Sequence, residues 1–307
     1  MPSLPENTPV SPPDYVLRVN WAIDFILENL QAPLKLDDIA KVACFSPFHF
    51  HRVFKALLGE TLSDFITRVR LERAIRIMSF DKNKSMTQVA LTCGLGSSSN
   101  FSRVFKQQYG VPPSRFDIAG LREQRHEEIN NSSSEFTDGL RLERLPPGEN
   151  PDNFVIRMRE LPERTVAYIR SLDPYRNGIV TGAVERLMFW AEARKLADGN
   201  WLGYMWDDPQ IVAHKDCRYD VGLEVTDVTP EGEIGKLQFP AMLVAEVEMK
   251  GSIELEQRAL DWLYGTWLPT SGYVPSAQPC FESWIGRPFA HGFEHFELNV
   301  QLPVERG

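Results

Sequence analysis

Arginine, lysine and small polar side chains recur at matched places on two short segments. That arrangement is the chemistry of reading the edges of base pairs. Phe50-His51-Arg52-Val53-Phe54-Lys55 is answered by Phe101-Ser102-Arg103-Val104-Phe105-Lys106, and the match continues through Gly59/Gly110, Ser63/Ser114 and Phe65/Phe116. Eight positions agree at one constant offset of 51, which marks an internal repeat. An arginine can hold guanine O6 and N7 with two bonds, asparagine can do the same for adenine, and serine can bond to either. The candidate base-reading residues are Phe48, His51 and Arg52 in the first copy. In the second they are Ser98, Ser99, Asn100, Ser102 and Arg103. Lys55 and Lys106 fall a turn later, placed for phosphates. The competing assignment for the two arginines is a solvated face or an internal salt bridge. His49 and His51 at i, i+2 point to different sides of a helix, which disfavours a metal pair.

These side chains need helices to aim them. Phe50, Val53, Phe54 and Leu57 recur at helical spacing, with the cations on the other face. Ser46-Pro47 supplies an N-cap and a first-turn proline, and Gly59 and Gly110 supply C-terminal stops. Before each basic helix lies a shorter one: Leu36–Ala43, then the turn Cys44-Phe45, and a second opened by the capping box Ser85/Gln88, then the turn Cys93–Gly96. Helix, tight turn, second helix with a basic outer face is the helix-turn-helix pattern, whose second helix enters the major groove. Thr61–Met78 is a longer helix that serves as a strut between two reading heads. Successive major-groove faces lie about 34 Å apart, so one chain could read both. Tyr15–Leu30 is an amphipathic helix ahead of the first unit.

Composition bounds the rest. A chain of 307 residues with 43% apolar content suits two or three domains with real cores. No run of eighteen apolar residues occurs, so no membrane-spanning helix and no membrane partner is expected. The polar, Pro-rich residues 1–14 read as a disordered leader rather than a signal peptide. Cys44, Cys93, Cys217 and Cys280 form no CxxC, which fits a reducing cytoplasm. Cys44 and Cys93 fall at matching places in the two repeats, which favours packing. No cofactor and no metal site is expected. Residues 1–125 hold 16 Lys+Arg against 12 Asp+Glu, and the remainder 17 against 30. A mildly basic first half and a strongly acidic second half imply two kinds of partner.

Residues 123–152 carry mixed charge, a Ser/Asn run and Pro146-Pro147-Gly148, the composition of a flexible linker. From Phe154 the texture changes to strands and helices in the order strand-strand-helix-strand-strand, twice. The helices are Gly178–Leu196 and Ile253–Leu268. Five of the seven tryptophans lie between 201 and 284. Trp190, Trp262 and Trp267 sit on helices at core spacing, where packing is the plainer role.

Residues 17–122 resemble the DNA-binding domain of the AraC/XylS transcriptional regulators. The resemblance rests on "DIAKVACFSPFHFHRVFKALLGETLSDFITRVRLERA" and "VALTCGLGSSSNFSRVFKQQYGVPPSRF". It implies seven helices and two helix-turn-helix units on one strut. Gly96 departs from the polar or acidic residue common there. The second half is similar to GyrI-like small-molecule-binding domains through "GYMWDDP", "CRYDVGLEV", "LDWLYGTWLPTSGY", "PCFESW" and "FEHFELNVQLPV". That resemblance implies an acidic residue on a strand of the second repeat inside an aromatic pocket, and Glu282 matches it. An aromatic box with one carboxylate suits a cationic amphipathic ligand, because π faces attract the cation and a buried anion needs a counter-charge, so the expected effector is small and lipophilic or cationic. The expected ligand-binding set is Glu282, Tyr204, Trp206, Trp284, Tyr168, Trp262 and Tyr273.

The expected fold is multidomain: an all-α double helix-turn-helix domain over 15–122, and a pseudo-twofold α+β domain of two β-β-α-β-β repeats over 153–305. The expected function is a cytoplasmic, non-enzymatic transcriptional regulator. Its expected partners are double-stranded operator DNA and a small-molecule effector, with RNA polymerase a further contact. Two other readings stay open for the second half. It could hydrolyse small electrophilic compounds with Glu282 as general base, or it could sequester a protein partner.

Overall fold

The computed structural model of the chain describes residues 14–81, 83–131 and 145–306. The leader, apart from Asp14, lies outside them, as do residues 132–144 of the expected linker. Seven α-helices come first: α1 (Asp14–Glu28), α2 (Leu36–Val42), α3 (Pro47–Leu58), α4 (Leu62–Phe80), α5 (Met86–Thr92), α6 (Ser98–Tyr109) and α7 (Ile118–Asn131).

Local chemistry sets their ends. Ser46 accepts from the His49 amide and Ser97 from the Asn100 amide, capping the two basic helices. Gly59 and Gly110 close them in the left-handed conformation, at φ 75° and 78°. Ser85 and Gln88 form the complete capping box at α5. Between α5 and α6, Gly94 has φ +69°, and a Cβ there would lie 2.1 Å from the Leu30 carbonyl oxygen, so only glycine fits.

The repeat is not rigidly in step. The basic helices start 51 residues apart, but α2 and α5 start 50 apart. The second turn is therefore one residue longer. Cys93 corresponds to Ala43, both fully buried, and exposed Cys44, at φ 53°, corresponds to Gly94. The matched placement of the two cysteines is thus corrected.

Helix α7 continues to Asn131, so the expected linker begins as helix. Its far end is docked as well. Leu145 donates its amide to Asp261 Oδ2, Gly148 to Thr266 Oγ1, and Arg258 grips Asp152 at 2.7 and 2.8 Å. Asn150 closes the turn by bonding both the amide and the carbonyl of Phe154. Polar composition suggested flexibility here, and side-chain bonds to the following domain override it.

The second half is one antiparallel sheet with helices on one face. Its strands are β1 (Arg157–Leu161), β2 (Arg164–Leu172), β3 (Trp201–Met205), β4 (Arg218–Val225), β5 (Gly235–Phe239), β6 (Met242–Gly251), β7 (Tyr273–Pro275), β8 (Cys280–Trp284) and β9 (Phe296–Arg306). Helix α8 (Ile179–Ala193) follows β2. Helix α9 (Ile253–Trp262) follows β6 and runs on through a π-turn, Leu263–Trp267. The order is β1-β6-β9-β8-β3-β4-β2-β5, with β7 added beside β9. Outward from the central β3–β8 pair, one side reads β4-β2-β5 and the other β9-β6-β1. That is a pseudo-twofold pair of β-β-α-β-β repeats that exchange their first strands.

Candidate DNA interface and effector pocket

Buried Phe50 and Phe54 on α3, and Phe101 and Phe105 on α6, turn the basic faces outward. Phe48 is 74% exposed, and the Arg52 guanidinium lies 5.9 Å over its ring. His51, Arg52 and Lys55 are exposed, as are Ser99, Asn100, Arg103 and Lys106, while Ser98 and Ser102 are half-buried. Asn100 is not free. Its amide nitrogen donates to the Leu95 carbonyl at 2.9 Å, and its oxygen accepts from Arg103 at 2.9 Å. Bidentate adenine contact would need both bonds broken, so its geometry is that of a residue aiming Arg103.

The two units are built differently underneath. The first unit's buried cluster runs from Val19 to Val69 within the helices. The second unit's cluster, with Phe101 and Phe105, also contains Ile211, Val212 and Cys217 from the loop between β3 and β4.

Strand alternation decides which expected pocket residues meet. Tyr219 on β4 and Cys280, Glu282 and Trp284 on β8 face the helices, and they line a cavity of about 220 Å³. Trp206, just past β3, borders the cavity while its indole stacks on Phe239 of the opposite face, and Glu256 on α9 and Tyr264 in its π-turn join the lining. Such turns often mark functional positions, because the extra residue re-aims a side chain. The wall is completed by Arg76 and Phe80 of α4 and by Arg122 of α7.

Glu282 is the centre of this site. Its Oε2 accepts from Tyr219 Oη at 2.8 Å and from Trp284 Nε1 at 3.0 Å. Burial pushes its carboxyl up to about 7, even though bonds from Tyr219, Glu256 and Trp284 favour the anion. Burial, then the Glu282 charge and a bond to it, hold Glu256 well above the usual carboxylate range. Both carboxyls are thus held toward their neutral forms, with a hydrogen bond between them. Gly203, paired across from Glu282, leaves room for it: a Cβ there would lie 1.9 Å from Tyr219 Oη and 2.7 Å from Glu282 Oε2.

Four expected ligand contacts lie elsewhere. Tyr204 is on the opposite face of β3, fully buried and stacked on Phe239 at 4.5 Å. Tyr168 shares that face and donates to Asp24 of α1 at 2.8 Å. Trp262 packs on Phe154, and Tyr273 stacks on Trp267. Residue type nominated these aromatics, and side-chain direction removed them. Tyr219, Glu256, Tyr264, Arg76, Phe80 and Arg122 were missed. Tyr219 lies within a quoted motif, and the glycine opposite Glu282 was a usable signal for close approach. Nothing local marked the helical residues.

Trp206 ties the cavity to α1. Its indole donates to Asp220 Oδ2 at 2.6 Å, and Asp220 takes a bidentate bond from Arg170 at 2.9 and 2.7 Å. The other guanidinium nitrogen of Arg170 pairs with Asp24 at 2.8 Å. Arg170 is essentially fully buried, and so is Asp220.

Residues 154–305 match the model of the GyrI-like small molecule binding domain, and residues 39–117 match a helix-turn-helix domain. The chain is 31% identical over 105 residues to the probable transcriptional regulator LumQ of Photobacterium leiognathi, spanning 34% of this chain and 42% of LumQ. It thus spans less than half the length of that relative. It is 31% identical to the probable transcription factor PqrA of Proteus vulgaris over 30% of this chain and 75% of PqrA. Among solved structures it is similar to a regulator with an AraC-type DNA-binding domain from Chromobacterium violaceum. The identity is 30%, the TM-score 0.30, and the coverage 32% of this chain and 87% of that one. No helix among the described residues is long and apolar enough to cross a membrane.

Proposed function

This chain belongs to the AraC-type transcriptional regulators and carries a GyrI-like small-molecule-binding domain behind its helix-turn-helix half; from that premise we propose that it is a cytoplasmic sensor of lipophilic cations. Residues 15–122 bind operator DNA through α3 and α6, and residues 153–305 bind the effector. Effector binding alters operator affinity and through it the access of RNA polymerase. The observation that carries this reading is the buried Glu256–Glu282 pair in an aromatic cavity whose wall includes α4 and α7. A carboxylate there is tolerated by its hydrogen bonds and is better satisfied by a cation. Because α4 joins both reading heads, a ligand touching it acts on DNA binding by the shortest route. Reciprocity requires operator DNA to change ligand affinity by the same factor that ligand changes operator affinity. Titrating the full chain with tetraphenylphosphonium, with and without a selected operator duplex, tests this through quenching of Trp206 and Trp284. Equal affinity in both states removes equilibrium coupling.

One feature favours a second reading. Two hydrogen-bonded carboxyls raised by burial, with a tyrosine alongside, are also an acid–base arrangement. In that reading Glu282 draws a proton from water attacking an electrophilic ligand, and Glu256 returns one to the product. Turnover of epoxide or activated-ester probes that disappears in Glu282→Gln would establish it; binding without turnover supports the sensor.

A further inference from the structure

The cavity has two electrically different ends, and only one is explained by a lipophilic cation. At the sheet end sit Glu256 and Glu282. At the other end the DNA-binding half contributes Arg76 from α4 and Arg122 from α7. Several other buried or half-buried arginines nearby are committed to protein acceptors, whereas Arg73, which does not line this cavity, has none among the described residues. Arg68 bonds Glu60 and Glu72, Arg70 bonds the Leu30 and Ala32 carbonyls, and Arg218 clamps Asp207. Among the described residues, by contrast, no hydrogen bond or ion pair engages Arg76. Arg122 lies 5.1 Å over the Phe80 ring, and its Nε is buried with no hydrogen-bond partner. Half-buried Asp208, which no arginine bonds, lies in the same cavity. Burial raises its carboxyl, while the Arg122 charge, a bond from the Gln210 amide and the Arg76 charge favour its anion, yet neither arginine forms a hydrogen bond or ion pair with it. Two guanidiniums lining a concave site with unused donors are a receptor for a carboxylate, sulfonate or phosphate ester, since arginine presents a planar fork matched to such groups.

We infer that the effector is amphoteric, with a cationic group held by Glu282 and an anionic group held by Arg76 and Arg122. This rests on the reading of the cavity as the effector site. Such a ligand neutralises both ends at once. It also bridges the two halves of the protein, because its acidic end is held by the strut between the reading heads. A ligand with the cation alone fills the sheet end and leaves α4 untethered.

Three probes on one biphenyl body decide this by calorimetry on the full chain: one carries a flexible trimethylammonium arm, one a butanoate arm, and one both arms at opposite ends. The doubly armed probe is expected to bind at least about tenfold tighter than the ammonium probe, the scale of one charge-assisted hydrogen bond. Arg76→Gln/Arg122→Gln is expected to remove that advantage, with ammonium affinity retained or raised because two like charges leave the cavity, and an unaltered unfolding midpoint reports that the variant is folded. Equal or tighter binding of the ammonium probe by the native chain overturns the inference and leaves the cation-sensor reading intact. Loss of all three affinities in the variant, alongside an unaltered unfolding midpoint, also overturns it. If none of the probes binds the native chain, the effector-site reading falls, and this inference with it.

Discussion

Arg170, on the central sheet, reaches Asp24, on the first helix of the DNA-binding half, at 2.8 Å while gripping Asp220 with its other nitrogens. A buried cation shared between two acids from different halves joins them, and the only other side-chain bonds those acids accept among the described residues are neutral ones, from Tyr168 to Asp24 and from Trp206 to Asp220. Removing the arginine strands two carboxylates, and a buried pair broken on one side costs about 3–5 kcal/mol. Arg170→Ala is therefore expected to lower unfolding stability by that amount. Asp24→Asn, which keeps the Asp220 grip, is expected to cost about 1 kcal/mol, near a typical hydrogen bond. Urea unfolding followed by tryptophan fluorescence reads both, and equal costs would show that Asp24 carries as much as Asp220.

Acid and base should act oppositely on the empty and the loaded protein. The Glu282 carboxyl stands at about 7 against an ordinary 4.5, because burial disfavours its charge. A raised folded-state value means that its contribution to stability is full below pH 4.5 and is lost as pH rises toward 7. Cation binding needs the anion, so affinity for tetraphenylphosphonium should fall as pH drops below 7, by up to about tenfold per unit. Glu282→Gln is expected to flatten both trends between pH 4.5 and 7. Thermal midpoints across that range check the first trend, and titrations check the second.

Ile211 and Val212 are each 3% exposed inside the buried cluster of the second helix-turn-helix unit, and among the described residues the first unit's cluster takes no residue from the second half. Ile211→Ala/Val212→Ala should open the second unit selectively, since each large-to-small change in a core costs on the order of 1–4 kcal/mol. Amide exchange in 86–109 is expected to accelerate at least about tenfold, with 36–58 unchanged. Equal acceleration in both units would mean that the loop supports α4 as a whole.

The reading edges differ between the heads, so their half-sites should differ. Exchanging Phe48, His51 and Arg52 with Ser99, Ser102 and Arg103 should exchange half-site preference in a binding selection. Arg103→Ala should cost about 1–3 kcal/mol at one base position, and Asn100→Ala should relax the same position by releasing Arg103. Lys55→Ala and Lys106→Ala should weaken all sequences alike and reduce the salt slope by about one each. A sequence-specific loss for either lysine would move it among the base-reading residues.

The chain's own order of residues determined much of this. Caps, stops and apolar spacing act within a few residues, so both basic helices and the strut were legible as they stand, and so was the doubled strand-strand-helix-strand-strand order. Glu282 and Trp284 were nominated through a local motif, and Trp206 through another. What only the tertiary structure decided is side-chain direction and company. Tyr204 and Phe281 look as suited to a ligand as Tyr219 and Glu282, but a strand sends alternate residues to opposite faces, and only packing says which face holds the cavity. Glu256 reads as a helix-surface acid until α9 lays it against Glu282. Arg76 and Arg122 read as solvated charge, because their place in the wall depends on how two separately encoded halves dock. The sequence specifies each half through short-range forces; the cavity between them exists only through contacts more than a hundred residues apart.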